Sequence, residues 1–315
     1  MEKTFVKWRH TLSKNKKQRI VFTEIFDVRV LAAASKLAEE KLLIPVVPTS
    51  LKSFTTFAEK HDISGEHFIC VDPQSEEVKE RLTPFLKTED SLNDINLFSV
   101  LLVKANMADG LINGATSTTR DVIRPALSYL DLRHEQSRVS GAMIVADEKE
   151  KYLFADCSMH IQPNGASLAA IAIESVETAK RLSIDPAIAF ISYTSHAQRE
   201  DKQKLAIEKA MEIMQTYDAS IPVDGELQFD AAFVPSIAQQ KVPNSVLAGK
   251  ATIFIFPTLE AGNIVCKMLE HMSAYQTFGP LTQGFSHAVH DLSRGCTVET
   301  IYEVGLYAAM QALEH

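Results

Sequence analysis

The chain has 315 residues, 46% of them hydrophobic and 23% charged, with a formal net charge of −8. This length suggests one large α/β unit or two domains with a sizeable core. The negative charge argues against non-specific nucleic-acid binding. No segment reaches the roughly 18 apolar residues of a membrane span, and the basic N-terminus lacks the apolar core of a signal peptide. Four separated cysteines without a CxxC pair fit a reduced, cytoplasmic protein.

Short apolar runs alternate with amphipathic helical stretches in the first third of the chain. The predicted strands are Ile20–Phe22, Ile44–Val47 and Phe68–Val71, and the predicted helices are Val28–Glu40 and Ile95–Ala105. Strands that alternate with helices of this length are typical of βαβ units. We therefore expect an α/β protein with a mostly parallel sheet.

A short strand near Ala108 leads into a loop rich in glycine and hydroxyl residues, followed by a helix that carries Arg120 and Arg124. The loop hydroxyls of Thr116, Ser117 and Thr118 suit two roles. They can cap the helix by accepting backbone N–H bonds. They can equally ligate a phosphate or carbonyl oxygen, and the sequence leaves both roles open.

The middle of the chain continues the alternation of strands and helices. Val139–Val145 and Tyr152–Ala155 predict a hairpin, and the further predictions are helices at Ser167–Leu182, Arg199–Tyr217 and Ala231–Gln240 and strands at Ala187–Ile191 and Thr252–Phe256. Pro257–Asn263 turns into another helix, whose first N–H groups are a possible anion site. The absence of a G-x-G-x-x-G or Walker loop weakens dinucleotide and ATP interpretations.

The stretch near the end combines a predicted loop with a helix start. Gly279–Gly284 is punctuated by glycine and proline and predicts a loop, and helical spacing resumes near Cys296. The N–H groups and the dipole of that helix favour an anion. Ser293 adds a hydroxyl donor, and Arg294 adds a planar fork that suits phosphate or carboxylate. A plain surface turn with an exposed arginine is the alternative.

Segments spread over nearly the whole chain resemble the phosphate acetyltransferase family, most strongly after Ala108. The matching segments are Ala108–Gly110, Gly114–Ala115, Ile123–Leu127, Val139–Ala142, Phe154–Cys157, Asp224–Ala232, Leu259–Ile264, Gly279–Pro280, Gln283–Gly284 and Asp291–Cys296. The most specific of them are Asp224–Asp230 and Asp291–Cys296.

This resemblance implies two three-layer α/β/α domains with mostly parallel sheets, similar to isocitrate and isopropylmalate dehydrogenases. Residues 1–138 and 285–315 would form domain I, and residues 139–284 the inserted domain II. It also implies an active-site cleft between the domains and a homodimer. The implied reaction is acetyl-CoA + phosphate = acetyl phosphate + CoA, with CoA as a substrate and without a cofactor or metal.

A mechanism for this reaction assigns roles to individual residues. The CoA thiolate is the nucleophile, so the thiol loses its proton before it attacks the acetyl carbonyl. Arg294 would clamp the phosphate and the carbonyl oxygen, and Ser293 would donate to the same group. The predicted lining of the substrate pocket comprises Thr116, Ser117, Thr118, Ser140, Gly141, Asn263 and Gly295.

The chain departs from the family pattern at several positions. The Pro-Glu-Gly expected after the first strand is Thr23–Ile25, and a basic run expected at Arg81–Leu92 is absent or shortened. A Ser-Thr-Lys-Gly-Ser run is replaced by Thr194–Gln198, and an expected asparagine is His290. The aspartate expected as the base that deprotonates CoA is Thr300.

Because Thr300 cannot accept a proton at neutral pH, the deprotonation of CoA needs another source. Arg294 and the helix N-terminus would lower the pKa of the thiol, which is near 8.5 when free. Alternatively Glu299, His287 or His290 would be the base, with histidine having a suitable intrinsic pKa. The plain interpretation makes both histidines solvated loop residues.

The sequence leaves two other functions open. The lost residues suit a weakly active or inactive paralogue that binds phosphate or an acyl phosphate and acts as a regulatory protein. Asp224, Glu226 and Asp230 suit the Mg²⁺ ligands of a dehydrogenase with a related architecture, if their stretch is helical. No nicotinamide-binding signature accompanies them, and helix capping is their plainer role.

Overall fold

The computed structural model describes residues 1–198 and 201–314. Apart from Met1, these residues fall into two compact units. The terminal unit comprises Glu2–Arg133 and the chain from Phe285 onward, and the middle unit comprises His134–Gly284. Residues 134–138, which the sequence analysis assigned to the first domain, group with the middle unit, since Ser137 Oγ donates to Glu174 there at 2.5 Å.

The described residues form strands and helices throughout, numbered here in chain order. The strands are β1 Arg19–Phe22, β2 Ile44–Val47, β3 Ile69–Cys70, β4 Gly110–Asn113, β5 Ser140–Ala146, β6 Lys151–Ala155, β7 Ile188–Ile191, β8 Val223–Leu227, β9 Ile253–Ile255, β10 Gln276–Gln283 and β11 Ala288–Asp291. The α-helices are α1 Glu2–Lys14, α2 Val28–Glu39, α3 Leu51–Lys60, α4 Glu76–Leu82, α5 Ile95–Lys104, α6 Thr119–Tyr129, α7 Gly165–Arg181, α8 Lys202–Tyr217, α9 Phe229–Phe233, α10 Pro235–Lys241, α11 Leu259–Met272 and α12 Val298–Ala312.

The terminal unit is built on a parallel sheet in the order β11-β4-β1-β2-β3. All four residues of β4 are buried, as expected for a strand covered on both faces. α2 and α12 pack against each other and on this sheet, α1 packs on α12, and α5 packs on α6. The sequence alternates strands and helices here because each helix buries an apolar face against the sheet.

The middle unit contains a mixed sheet in the order β10-β5-β6-β9-β7-β8. β6, β9, β7 and β8 run parallel, while β5 pairs antiparallel with β6 and β10. The predicted α/β class with mostly parallel sheets is confirmed, as is the β5–β6 hairpin. No helix in the described ranges is long and apolar enough to cross a membrane.

The loop predicted at Gly279–Gly284 is wrong, because most of this stretch lies in β10. Phe278 and Leu281 are buried and pair with β5, and the register shifts between them. Gly279 has φ +124°, so it and Pro280 form an irregularity within a strand. Glycine and proline interrupt the ladder here and do not end the strand.

In the middle unit, the condition set for the Mg²⁺ interpretation is not met, and one predicted helix needs correction. The acidic stretch after Val223 forms β8, which lies at the sheet edge, so it is not helical there. The single helix predicted at Ala231–Gln240 is two short helices, and α10 starts with Pro235. Arg199, where another predicted helix began, lies outside the described residues, and α8 begins at Lys202.

Candidate active site

The predicted anion site lies where β11 ends and α12 begins. Leu292 N donates to Asn113 O at 2.7 Å, so this loop lies beside the one that follows β4. Arg294 and Gly295 are exposed, whereas Cys296 is buried. Thr297 caps α12 by accepting the N–H of Thr300, so the predicted helix start is confirmed. The loop therefore presents an exposed guanidinium beside a helix N-terminus.

Arg29, which the sequence analysis did not single out, holds this loop in place. Its guanidinium donates to Arg294 O at 3.0 Å, to Cys296 O at 2.9 Å and to Ala115 O at 3.0 Å. Asp27 fixes Arg29 from the other side at 2.8 Å. The hydrogen bond from Arg29 lowers the pKa of Asp27, with burial opposing it. One buttressed arginine thus joins the two loops of the site.

Glu24 follows β1, and its side chain lies against the loop that follows β4. Its carboxylate accepts the N–H groups of Ala115 at 2.5 Å, Thr116 at 3.0 Å and Ser117 at 2.6 Å. The Thr116 hydroxyl also donates to it at 2.6 Å. These three N–H groups are therefore already engaged by a carboxylate of the chain. Thr118 caps α6, which confirms the capping interpretation for that residue.

Asp291 is buried at the end of β11 and is 4% exposed. Burial raises the pKa of its carboxyl to about 6, a hydrogen bond with Thr119 opposes the rise, and the charge of Glu24 adds to it. The neighbouring Gly114 has φ +94°, and a Cβ there would lie 2.2 Å from Asp291 Oδ1. This position needs glycine for its conformation and for its lack of a side chain.

His290 is fully buried in β11, so the interpretation as a solvated loop histidine is wrong for it. Its Nε2 lies 3.1 Å from Gln311 Oε1, and its ring contacts Tyr307 at 5.3 Å between centroids. The strand extends through Asp291, and this places the ring in the core. With 0% of its surface exposed, His290 has no open path to a thiol, and we do not retain it as the base.

Besides His290, the candidate bases named from the sequence are Glu299 and His287, and Thr300 is the position where the family has an aspartate. Thr300 lies in the first turn of α12, and its hydroxyl is 3.2 Å from that of Thr297, so its side chain joins the helix cap. Glu299 is exposed on the same turn. His287 is partly exposed, with Nδ1 3.0 Å from Ser286 Oγ. Thr300 itself offers no group that accepts a proton near neutral pH.

In the middle unit, two predicted pocket residues are packed in the interior. Ser140 is 0% exposed, and its Oγ accepts from Gln283 Nε2 at 3.1 Å. Gly141 N donates to Asp156 Oδ1 at 2.9 Å, and a Cβ on Gly141 would lie 1.9 Å from Ser158 Oγ. The Ser140 hydroxyl therefore belongs to a buried network and does not line an open pocket.

Asp156 organises the loop that follows β6, a role that no sequence motif predicted. Its buried carboxylate accepts the N–H groups of Gly141, Ser158, Met159 and His160 at 2.6–3.2 Å. A carboxylate with four backbone donors fixes a loop firmly. A polar loop after a β-strand is the only signal the sequence offers for it.

Asn263 is exposed and belongs to the second turn of α11, not to its head as predicted. Thr258 is the N-cap of this helix. Asn263 Nδ2 donates to Cys157 O at 3.0 Å and so ties α11 to the Asp156 loop. A hydrogen bond with Cys266 and burial hold the pKa of Cys157 well above its usual range.

The three carboxylates of Asp224, Glu226 and Asp230 each contact a different partner. Asp224 Oδ1 lies 2.9 Å from His196 Nε2, Glu226 accepts from the 194–197 loop at 2.9 and 3.1 Å, and Asp230 pairs with Lys241 at 2.7 Å. Within residues 1–198 and 201–314, no cluster of three His, Cys, Asp or Glu side chains is placed to hold a metal ion. The geometry therefore contradicts the interpretation of this motif as a Mg²⁺ site.

Comparison with known proteins places the chain in a family. Residues 4–309 match the profile of the family described as Phosphate acetyl/butaryl transferase. The chain is 38% identical over 306 residues to the phosphate acetyltransferase of Bacillus subtilis, which covers 94% of this chain and 95% of that one. It is 34% identical over 314 residues to the phosphate acetyltransferase of Staphylococcus aureus, with 95% and 96% covered.

Solved structures agree with this assignment. A phosphotransacetylase from Streptococcus pyogenes has a TM-score of 0.91 at 35% identity and covers 100% of this chain and 99% of that one. A putative 4-hydroxythreonine-4-phosphate dehydrogenase from Salmonella typhimurium shares only the fold, with a TM-score of 0.57 at 13% identity, 94% of this chain and 100% of that one. The chain is therefore an α/β enzyme of the transferase class. It belongs to the phosphate acetyl/butaryl transferase family.

Proposed function

We propose that this protein transfers an acetyl group between CoA and phosphate, in the reaction acetyl-CoA + phosphate = acetyl phosphate + CoA. The observation that carries the proposal is the Arg294 loop. The Arg294 side chain is exposed while Arg29 fixes its backbone carbonyl at 3.0 Å. A guanidinium that is both open and positioned suits a phosphate bidentately, and family membership supplies the reaction class.

The exposed loop carries the chemistry in this proposal. Arg294 holds the phosphoryl oxygens of acetyl phosphate, and Ser293 donates its hydroxyl to the same group. The CoA thiolate attacks the acetyl carbonyl, so that a C–S bond forms and the C–O bond to phosphate breaks. Phosphate leaves with the bonding electron pair, and Arg294, the Gly295 N–H and the N-terminus of α12 stabilise its charge.

Deprotonation of CoA proceeds in this proposal without a dedicated carboxylate base. Thr300 is part of the helix cap, Glu24 is held by loop N–H groups, and Asp291 is buried. A thiol with a pKa of about 8.5 is already a few per cent ionised near neutral pH. The positive field of Arg294 and the helix N-terminus raises that fraction.

Two arginines on α6 are proposed to receive the phosphates of CoA in place of the missing basic run. Arg120 and Arg124 are one turn apart and line a cavity of about 270 Å³. Three carboxylates, of Asp90, Asp94 and Asp121, line the same cavity. Each accepts a local hydrogen bond: Asp90 from the Tyr129 hydroxyl, Asp94 from the first N–H groups of α5, and Asp121 from the Thr118 hydroxyl. Neither guanidinium has an ion-pair partner within residues 1–198 and 201–314. They therefore remain available to an anion.

The proposal also covers the setting of the reaction. Acyl transfer from oxygen to sulfur needs no redox step, so we propose that no resident metal or prosthetic group takes part. Four free cysteines support a reducing compartment, the cytoplasm. We propose a homodimer as the working form.

The test is the rate at which acetyl-CoA releases free CoA when phosphate is added, with propionyl- and butyryl-CoA measured in parallel. The expected result is phosphate-dependent turnover with acetyl-CoA as the best substrate. Absence of turnover in both directions, together with binding of acetyl phosphate, would instead support an inactive binding protein. A preference for butyryl-CoA would keep the reaction type and change the substrate.

A further inference from the structure

His196 forms a carboxylate–imidazole pair in the middle unit that has no role in the transfer reaction described above. Its Nε2 lies 2.9 Å from Asp224 Oδ1. The side chain of His196 is 43% exposed, whereas that of Asp224 is 11% exposed. A buried carboxylate therefore orients an imidazole that is open to solvent. Histidines that act as bases or nucleophiles are often oriented in this way.

The carboxylate of Asp224 determines which ring nitrogen of His196 carries the proton. An ionised carboxylate only accepts hydrogen bonds, so Nε2 is the protonated nitrogen of the neutral ring. Gly225 N donates to the same Oδ1 at 2.8 Å and fixes this oxygen in place. Nδ1 then keeps its lone pair, and it has no hydrogen-bond partner within residues 1–198 and 201–314. The pair thus presents a neutral nitrogen nucleophile to solvent.

The backbone at His196 has a conformation that non-glycine residues rarely adopt. Its φ is +47°, in the left-handed region. Glu226, which is 2% exposed, holds the loop in this conformation. The Glu226 carboxylate accepts from the Thr194 hydroxyl at 2.9 Å and from Ala197 N at 3.1 Å, and its carbonyl accepts from His196 N at 3.1 Å. Strained residues held by several bonds are concentrated at functional sites.

The charges around His196 suit an anion on its outer side. Lys204 Nζ on α8 donates to Ala197 O at 2.9 Å, so an ammonium lies one residue from the histidine. Lys204 is also 3.7 Å from Glu208, beyond hydrogen-bond distance, so its charge is only partly compensated. The Asp224 carboxylate lies on the Nε2 side of the ring, and Nδ1 points away from it. A doubly charged phosphoryl group on Nδ1 would benefit from this ammonium, whereas a neutral acetyl group would not.

We infer that His196 is a phosphoryl acceptor and that acetyl phosphate is its donor. The inference rests on the proposed function only for the source of acetyl phosphate. Nδ1 attacks the phosphorus, an N–P bond forms, and the P–O bond to the acetyl group breaks. Acetate leaves with the bonding electron pair, and no proton is transferred. The ring becomes positively charged, and the Asp224 carboxylate stabilises that charge through Nε2.

The first experiment adds synthetic acetyl phosphate to the full chain in the absence of CoA. Intact-protein mass spectrometry at neutral to alkaline pH, where histidine phosphoramidates survive, is expected to show one phosphoryl group per chain. Fragmentation of the wild-type peptide is expected to place this group on His196, and this mapping needs no variant. An unmodified wild type, an added acetyl group or a phosphoryl group on another residue would overturn the inference.

The second experiment compares the labelling rates of three variants whose far-ultraviolet circular dichroism matches wild type. An asparagine amide can donate to Nε2 and move the ring proton to Nδ1, so Asp224→Asn is expected to slow labelling about 10–100-fold. His196→Asn removes the acceptor, tolerates the left-handed backbone and is expected to stay unlabelled. His271→Gln is the matched control, since His271 is 67% exposed and 3.8 Å from Glu270. It is expected to label like wild type.

Asp224→Asn tests the pair separately from the acceptor. Labelling of this variant at the wild-type rate would overturn the role of the carboxylate, and labelling of His196→Asn would overturn the site. Acetyl transfer is assayed in separate samples that contain CoA. Turnover without labelling would overturn only the phosphoryl acceptor, and labelling without turnover would overturn only the proposed function.

Discussion

Replacing Arg29 with methionine tests whether the two loops of the site are held by one buttress. The change removes the hydrogen bonds to Arg294 O, Cys296 O and Ala115 O and the ion pair with Asp27, which keeps only the backbone N–H of residue 29. Hydrogen bonds from a charged donor contribute ~1.5–3 kcal/mol each when buried. Because the Arg29 side chain is 33% exposed, we expect a total loss of about 2–3 kcal/mol of unfolding free energy.

The kinetic effect of Arg29→Met is expected to exceed what lost stability explains. Displacement of catalytic groups by ~1 Å can cost about 10²-fold in rate. We therefore expect kcat/KM for acetyl transfer to fall by about 10²-fold in folded protein. Arg19→Met is the matched control, because Arg19 pairs with Asp109 at 2.7 Å with a similar exposure of 31%.

Urea unfolding and steady-state kinetics on both variants decide the matter. Arg19→Met is expected to lose stability but to keep kcat/KM close to wild type. If Arg29→Met keeps wild-type kcat/KM while losing stability, the buttress has no role in the site. If both variants lose activity equally, the effect is general destabilisation and the reasoning fails.

Four further predictions address single groups. Thr300→Asp adds a carboxylate to the first turn of α12, so we expect thermal unfolding to show a stabilisation of ~0.3–1 kcal/mol. The added carboxylate should also raise kcat near neutral pH, and an unchanged kcat would argue that deprotonation of CoA does not limit the rate. Burial raises the pKa of Asp291 to about 6, above its value in the unfolded chain, so its ionisation destabilises the folded state at pH 7. This loss of about 2–3 kcal/mol of unfolding free energy is relieved as pH falls toward 4. Urea unfolding of wild type and Asp291→Asn at both pH values should show this difference, and parallel curves would refute it. Arg124→Ala should raise KM for CoA about 10-fold with little change in kcat, whereas an unchanged KM would exclude it from CoA binding. Cys157 should resist alkylation in the native state, since it is buried and its thiol pKa is well above normal, and the half-buried Cys70 should be labelled first. Mass spectrometry of peptides after timed labelling measures the order, and labelling of Cys157 before Cys70 would contradict the prediction.

The sequence predicted those helices and strands in which apolar residues recur with a clear period. The apolar runs of β1, β2 and β9 and the spacing in α2, α5 and α12 identified each element, with ends within a few residues of those observed. They failed at β10, where Gly279 and Pro280 interrupt a strand without ending it. They also failed for His290, since a polar residue beside Asp291 gives no local sign that it lies in a buried strand.

The contacts that build the candidate site could not be predicted from local sequence patterns. Arg29 and the carbonyl it holds at Arg294 are 265 positions apart in the chain, and Glu24 and Thr116 are 92 apart. Pairings at that separation depend on the sheet order, which brings the ends of β1, β4 and β11 together. Motifs indicated the exposed Ser293–Arg294 loop, but only the three-dimensional arrangement identifies the side chains that position it.

The central claim is that Arg294 binds the phosphate in acetyl transfer. Its most direct test is the kcat/KM for acetyl phosphate in CoA-dependent thioester formation, compared between wild type and Arg294→Ala. We expect robust turnover in wild type and a loss of about 10²–10³-fold in the variant, with the same unfolding midpoint in urea. A variant that keeps turnover within a few-fold of wild type would contradict the account.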